Sequence, residues 1–340
     1  MVLRVLHLVG SPTEEFLAEL SRLYAADCLR AIEDPDRYVC RIAYVSPDGM
    51  WRFPDGLSRE QIAAAPPMAV GEAVARLLAL DVDVAVPQMF CRAGMTSYRA
   101  LLDVLAIPYV GNSPDVMALG AHKARARAVV AAAGVAVPAG ELLRPGQRPT
   151  LGLPVVVKPV DTDNSVGLAL VRRPDELDAA LAAAFTHADE VLVESYVELG
   201  REVRVGVLER DGELVCLPLE EYAVDPVRKP VRDHADKLAR GVDGDLRLVA
   251  KDATRAWIVD VEDPATEPVW ELARACHRAL GCRHYSLFDV RIDPAGQPWF
   301  LEAGLYCSFA EQSVVPAMAR AAGVGLPRLF AEALHEVLGR

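Results

Sequence analysis

Charged side chains set inside otherwise apolar, strand-like runs are the first candidates for chemistry in this chain. The stretch "FDVRIDPAGQPWFLEAGLYCSF" (288–309) carries Asp289, Arg291 and Glu302 on two such runs joined by the turn-rich "DPAG". On an ordinary hairpin these charges would lie on the wet face. As a functional feature, Asp289 and Glu302 are a carboxylate pair aimed at a metal. Upstream, "LPVVVKP" buries Lys158 near the end of a strand. A buried ammonium costs several kcal/mol unless it is paired, so Lys158 is expected to meet an anion. The loop that follows, "DTDNSVG", is rich in small hydrogen-bonding residues and ends in Gly167. Backbone N–H groups of such a loop can fold over phosphates. In "VLVESYV", Glu194 and the residues after it can present a carboxylate and backbone groups to a purine. Glu202 in "GREVRV" can reach ribose hydroxyls.

The elements that must position these residues follow from hydrophobic patterning. The runs 3–10, 38–46 and 82–89 read as strands, and "EEFLAELSRLYAADCLRAI" and "MAVGEAVARLLAL" as helices. This alternation predicts a parallel sheet covered by helices over the first ~115 residues. No GxGxxG follows the first strand, which leaves a dinucleotide site unsupported. Ser113-Pro114 reads as a helix start, and an Ala-rich helix closed by Gly134 comes next. Residues 121–205 read as an α+β unit: two strands around the polar loop, a helix over "PDELDAALAAAF", and further strands. Asp211-Gly212 marks a hairpin turn. Residues 223–261 read as a long irregular loop, and a helix near 266–280 places Val269, Leu272, Ala273, Cys276 and Leu280 on one face.

Composition limits the partners. The 340 residues are 52% hydrophobic and 25% charged, as in an ordinary globular protein. A formal net charge of −12 disfavours nucleic acid and anionic membrane, so an anion site must be local. The N-terminal run reads as a buried strand rather than a signal peptide, and no window approaches the ~18 apolar residues of a spanning helix. Seven scattered cysteines without metal-like spacing suggest reduced thiols and a cytoplasmic location.

In this order and spacing, Lys123, Lys158, the 161–167 loop, Glu194, Glu202, Asp289 and Glu302 resemble the ATP-grasp superfamily. The similarity is closest to its D-alanine–D-alanine ligase branch and runs from about Ile107 to the C-terminus. The resemblance implies an α/β and α+β architecture: an N-terminal parallel-sheet domain (1–117), a central lid-like α+β subdomain (118–205) and a C-terminal α+β domain (206–340). It places the two nucleotide lysines on Lys123 and Lys158, and the flexible phosphate loop on Asn164-Ser165-Val166-Gly167. The adenine segment falls on Glu194, Tyr196 and Val197, and the ribose carboxylate on Glu202. The metal carboxylates fall on Asp289 and on Glu302 in "LEAG", and Ser313 starts the helix that follows. A loop lysine that covers ATP falls on Lys237.

The implied cofactors are ATP and Mg²⁺, or Mn²⁺ in its place. The implied reaction joins a carboxylate to an amine through an acyl phosphate, with release of ADP and phosphate. A homodimer is the assembly expected from the resemblance.

The sequence departs from the family pattern at positions of metal binding, catalysis and amino-acid recognition. Gly304 stands where the ligases carry a metal-binding Asn, leaving water, backbone or Asp293 to substitute. Leu287 stands where they carry an active-site Arg. Period-2 alternation puts Arg291 on the same strand face as Asp289, so Arg291 is expected to contact a phosphate or substrate carboxylate. Phe16 aligns with a glutamate that holds the first substrate's amine, with Glu15 adjacent, and Asn164 replaces that residue's serine partner. "QMFCRAGMTSYR" has lost both acids of a conserved ligase motif. Ser165 and Lys237 are expected to act with Arg291 in catalysis, and Ser308, Ser313 and Glu15 to contact substrate. Tyr306 and Cys307 are expected to shape the acceptor pocket, Cys307 without a reactive role. His7 reads as a core histidine, and His234 and Asp236 as solvated. The leading expectation is a ligase joining amino acids in a peptide or γ-glutamyl linkage. The alternatives are cell-wall D-alanine–D-alanine ligation and ATP binding without turnover.

Overall fold

A computed structural model describes residues 2–162, 166–225 and 254–339, together with the backbone of 239–240 and 246–247. Asp163, Asn164, Ser165, His234, Asp236 and Lys237 lie outside the described residues, so the expectations placed on them are not addressed by the structure.

The first layer is a four-stranded sheet of β1 (Leu3–Gly10), β2 (Tyr38–Val45), β3 (Trp51–Arg52) and β4 (Val84–Pro87), in the order β3-β2-β1-β4. β1 runs parallel to both β2 and β4, and β3 is an antiparallel edge. Strand β1 is apolar on both faces because both are covered. Val5 packs with Cys28 of the helix Glu15–Ala31 and with Phe330, while Leu6 and Leu8 pack with Leu77 and Leu102.

The central unit is an antiparallel sheet of β5 (Gly140–Leu143), β6 (Val155–Pro159), β7 (Ala169–Val171) and β8 (Val191–Ser195), in the order β5-β8-β6-β7. One face holds the Ala-rich helix Leu177–Phe185. Val155, Val157, Val191 and Val193 pack there against Ala180, Leu181 and Ala184. The alternate residues Val156, Lys158 and Glu194 therefore point the other way. Gly167 closes the loop between β6 and β7 at φ +72°, where an added Cβ would sit 2.8 Å from Pro159, so glycine is required there.

The third unit is built on β9 (Arg201–Arg210), with β10 (Glu213–Cys216), β11 (Glu220–Tyr222), β14 (Ala256–Ile258), β15 (Tyr285–Ile292) and β16 (Pro298–Ala303). The order is β14-β11-β9-β15-β16, with β10 returning on β9, and the short pair β12 (Ala239–Arg240) and β13 (Leu246–Arg247) stands apart. Val203, Val205, Phe288, Val290 and Phe300 form a core with the predicted face of the helix Thr266–Leu280: Val269, Leu272, Ala273, Cys276 and Leu280. Ala126 and Val130 of the helix Lys123–Ala132 join the same core.

Two expectations need correction. The division expected at 205/206 falls inside β9, which pairs with β15 from Arg201 to Leu208. The stretch 223–261, read as loop, contains β14, a three-residue edge strand too short to register as a periodic pattern. Among the described residues, no helix is long and apolar enough to cross a membrane.

Candidate active site

The same alternation that fills the two cores turns two polar faces toward each other. Val156, Lys158 and Glu194 of the central sheet meet Glu202, Asp289, Arg291 and Glu302 of the C-terminal sheet around a cleft of about 690 Å³. Pro138, Leu168, Leu301, Ser195, Tyr196 and Val197 complete its lining. The walls combine apolar surface with a few convergent charges, as small-molecule sites do.

At the central-sheet end, Lys158 Nζ lies 2.6 Å from Glu194 Oε2, and Arg127 Nε lies 3.4 Å from Glu194 Oε1. Lys158 and Glu194 are both buried, so the expected anion partner of this lysine is a carboxylate of its own sheet. Next along the cleft, Arg291 pairs with Glu202, donates to the Val197 carbonyl at 3.2 Å, and sits 5.4 Å from the Tyr196 ring centroid. At the far end, Lys123 begins the helix Lys123–Ala132. Its backbone N–H donates to the Val160 carbonyl at 2.8 Å and its ammonium donates to the Thr162 carbonyl. Nζ also lies 3.5 Å from Glu302 Oε1.

Asp289 and Glu302 are register partners on β15 and β16, just before a bulge between Asp289 and Val290. Side chains so paired stand about 5 Å apart at Cβ. Two hard carboxylates at this separation fit a Mg²⁺ ion that completes its shell with phosphate and water oxygens. Among the described residues, no three His, Cys, Asp or Glu side chains are grouped so that they could hold a metal ion together. Gly304, which follows Glu302 by two positions, contributes no side-chain ligand. Its added Cβ would find its nearest neighbour, Leu287, at 3.8 Å, so the backbone does not demand glycine.

Two arginines lie near the carboxylates, and Arg291 lines the cleft with Asp289. Residues 289 and 291 do share a strand face, but they are about 7 Å apart along it, and β9 supplies each with its own partner. Glu202 stands opposite Arg291, and Arg204 stands opposite Asp289. Arg204 Nε pairs with Asp289 Oδ1 and its Nη2 lies 3.2 Å from Oδ2. Burial opposes the charge on Arg204, and the Asp289 carboxylate more than offsets it, leaving the guanidinium well above its usual pKa. The arginine paired with Asp289 is thus Arg204, while Arg291 pairs with Glu202 beside Tyr196. Arg204 was legible in principle, two residues after Glu202 in "REVRV"; its cross-strand partner was not.

The substrate-side expectations divide. Glu15 is exposed at the start of its helix, on the side of Tyr44. Phe16, one residue and 100° of helix further, packs with Leu20 and Phe90, and the Phe90 ring stands 5.4 Å from that of Tyr306. Ser308 has a buried hydroxyl without a hydrogen-bond partner among the described residues, and its carbonyl accepts from Gln88 Nε2 at 2.7 Å. Ser313 donates to the Ala310 carbonyl at 2.8 Å and precedes the helix Val314–Ala321. Val166 accepts a hydrogen bond from Thr162 Oγ1 at 3.1 Å through its carbonyl. His7 is a core residue: its Nδ1 lies 3.0 Å from Gln88 Oε1, and burial pushes its pKa down to about 4. Burial pushes the Cys307 thiol up to about 12, which keeps it protonated and unreactive.

Three units of this kind, with a polar cleft between two antiparallel sheets, define an ATP-grasp fold. Solved structures with the same fold cover essentially the whole chain. The D-Ala:D-Ser ligase VanG from Enterococcus faecalis superposes with a TM-score of 0.80 at 22% identity, over 99% of this chain and 100% of its own. The D-alanine–D-alanine ligase of Bacillus anthracis complexed with ATP gives 0.72 at 19%, over 99% and 98%. In sequence, the description "D-ala D-ala ligase C-terminus" matches residues 144–335. The D-alanine–D-alanine ligase of Pelobacter propionicus is 32% identical over 83% of this chain and 92% of its own length. That of Mycolicibacterium smegmatis is 30% identical over 94% and 92%. The chain belongs to the D-alanine–D-alanine ligase family, and with it to the ATP-dependent carboxylate–amine ligases.

Proposed function

We propose that this ligase activates the carboxylate of one amino acid with ATP and joins it to the amine of another. A substrate carboxylate oxygen attacks the γ-phosphorus, and the bond to the β,γ-bridging oxygen breaks, leaving ADP and an acyl phosphate. The amine then attacks the acyl carbon, phosphate departs, and the amine's proton is lost as the amide forms. Phosphoryl transfer of this kind asks the protein for position and charge neutralisation more than for covalent help. The observation that carries the reading is the convergence of Lys158, Lys123, Asp289 and Glu302 on one cleft with an apolar slot at its other end.

In the proposed assignment, the base lies among Val156, Leu168, Leu301, Tyr196 and Val197, with Glu194 and Glu202 near the base and ribose. Lys123 and Lys158 face phosphate oxygens, and the 161–167 loop, with Ser165 and Val166, covers them. Asp289 and Glu302 would hold Mg²⁺, which when bound shields the charge of the phosphates. Closure of the loop excludes water that would otherwise hydrolyse the acyl phosphate.

The substrates are proposed to differ from two D-alanines, in a peptide or γ-glutamyl-type linkage. Phe16 and its aromatic neighbours offer no carboxylate to an amine, and Leu287 no cation to a carboxylate. The specific observation favouring the second reading, D-alanine–D-alanine ligation, is the name borne by relatives 30–32% identical over most of the chain. All seven cysteines are free thiols, which fits a reducing compartment such as the cytoplasm. A homodimer is proposed from the family resemblance alone, and mass measurement in solution checks it.

A screen of phosphate and ADP release over pairs of amino acids, with the product's mass determined, tests the proposal. Turnover with a pair other than D-alanine supports the first reading, and turnover with D-alanine alone supports the second. ATP binding without ADP release on any pair contradicts both.

A further inference from the structure

We propose that Arg204 is the catalytic arginine of this chain, the side chain that meets the transferring phosphoryl group; this rests on the ligase reading given above. The ligase pattern puts an arginine at the position of Leu287, two residues before Asp289. Here that position faces Gly206 across the strand pair, and Leu287 packs beside Leu208, Leu217, Val315 and Met318. A guanidinium in that apolar setting would lack a partner and would cost several kcal/mol. One row along the same face, β9 presents Arg204 to Asp289 instead. The cation has changed strand and kept its neighbourhood.

The charges around it suggest how it is used. Arg204 sits against Asp289, and Lys123 against Glu302, so each metal carboxylate is held by a side-chain cation. When these carboxylates turn to a divalent cation arriving with the nucleotide, Arg204 and Lys123 lose part of their attraction to them. Both then gain it from the oxygens of the phosphates brought to the same place. Arg204 changes no bond and keeps its protons. It neutralises the oxygens of the γ-phosphoryl group as the carboxylate–phosphorus bond forms and the bridging bond to ADP breaks. The guanidinium also lies 5.6 Å from the Tyr222 ring centroid, and its charge is felt at Tyr24 on the N-terminal helix Glu15–Ala31. The planar fork suits an oxyanion better than a lysine would.

The test uses MgADP with and without aluminium fluoride, a planar stand-in for a phosphoryl group in transfer, so the amino-acid substrates need not be known. Affinity is read by calorimetry, and melting temperature serves as a fold control. In the wild type, aluminium fluoride should tighten ADP binding at least about 100-fold, as transition-state mimics do. In Arg204→Gln, MgADP alone should bind within about threefold of wild type, while the tightening should fall to under about tenfold. Arg204→Lys should recover part of it. Full tightening in Arg204→Gln would overturn the assignment, as would loss of MgADP binding in both variants, which marks a structural arginine. Wild-type protein that binds MgADP without responding to aluminium fluoride overturns the assignment and leaves nucleotide binding standing. Wild-type protein that does not bind MgADP contradicts the ligase reading itself, and the assignment falls with it.

Discussion

The two ends of the cleft have been treated differently in this chain. At the nucleotide end, Lys158, Glu194, Glu202 and Lys123 occupy the positions the ligase pattern gives them, and each is buried among charged partners. At the substrate end, the glutamate position is Phe16 in an aromatic cluster; between the two ends, the arginine position is Leu287 in an apolar cluster and the metal-binding asparagine position is Gly304. Charges set in a low-dielectric cleft are costly to rearrange because each removal strands a partner. Side chains that touch the variable part of a substrate are under no such mutual constraint. On the proposed reading, a change of substrate arises at the Phe16 end, while around the reacting phosphate the lysines and the two carboxylates remain and the asparagine and arginine positions have changed.

The comparison can be broken first at the metal carboxylates. Asp289→Asn should lower turnover by about 10³-fold in an ADP-release assay, because charge stabilisation at the transferring phosphate is the dominant requirement there. An effect below tenfold would remove Asp289 from the site. The Arg291–Glu202 pair should behave as nucleotide-binding machinery rather than chemical machinery. Replacing both together, Arg291→Met with Glu202→Gln, avoids stranding a buried charge and should weaken ATP binding about tenfold, or about 1.4 kcal/mol, with a smaller change in kcat. A fall in kcat at unchanged KM would instead return Arg291 to the reacting phosphate.

Acid should weaken the fold through its buried histidines. Burial pushes His7 and His284 from 6.5 down to about 4. The unfolded chain binds more protons than the native one between these values, so stability is complete above about pH 6.5 and is lost as pH falls toward 4. Each should contribute about 2 kcal/mol of loss between pH 6.5 and 5. Denaturant melts of wild type and His7→Gln across that range check it, with a shallower pH dependence expected in the variant. The smallest effect belongs to Gly304→Asn. Its Cβ meets only ordinary contacts, so stability should change by less than about 0.5 kcal/mol. A large loss would show that glycine is structurally required, contrary to the open space around it.

Much of this site was legible because strand alternation is a local code. Apolar residues at 155 and 157, at 203 and 205, and at 288 and 290 commit their alternating neighbours Lys158, Glu202, Arg204, Asp289 and Arg291 to the opposite faces. What alternation cannot convey is register between strands distant in sequence. Arg291 was matched to phosphate and Arg204 overlooked because their partners, Glu202 and Asp289, are fixed by the pairing of β9 with β15 across about eighty residues. Glu15 and Phe16 part for a local reason: one residue along a helix turns the side chain by 100°, sending Phe16 toward Phe90 and Glu15 toward Tyr44. Strand β5 escaped notice because Gly140 opens it and it spans four residues.

The most direct test of the central claim, that the cleft between the two sheets is the nucleotide site, is calorimetric titration of Mg²⁺ and a non-hydrolysable ATP analogue into wild type and Lys158→Ala. Lys158 holds Glu194 in the wall of that cleft, so wild type should bind and the variant should lose about 100-fold or more in affinity while still melting cooperatively. Equal affinity in the two proteins would contradict the placement of the site.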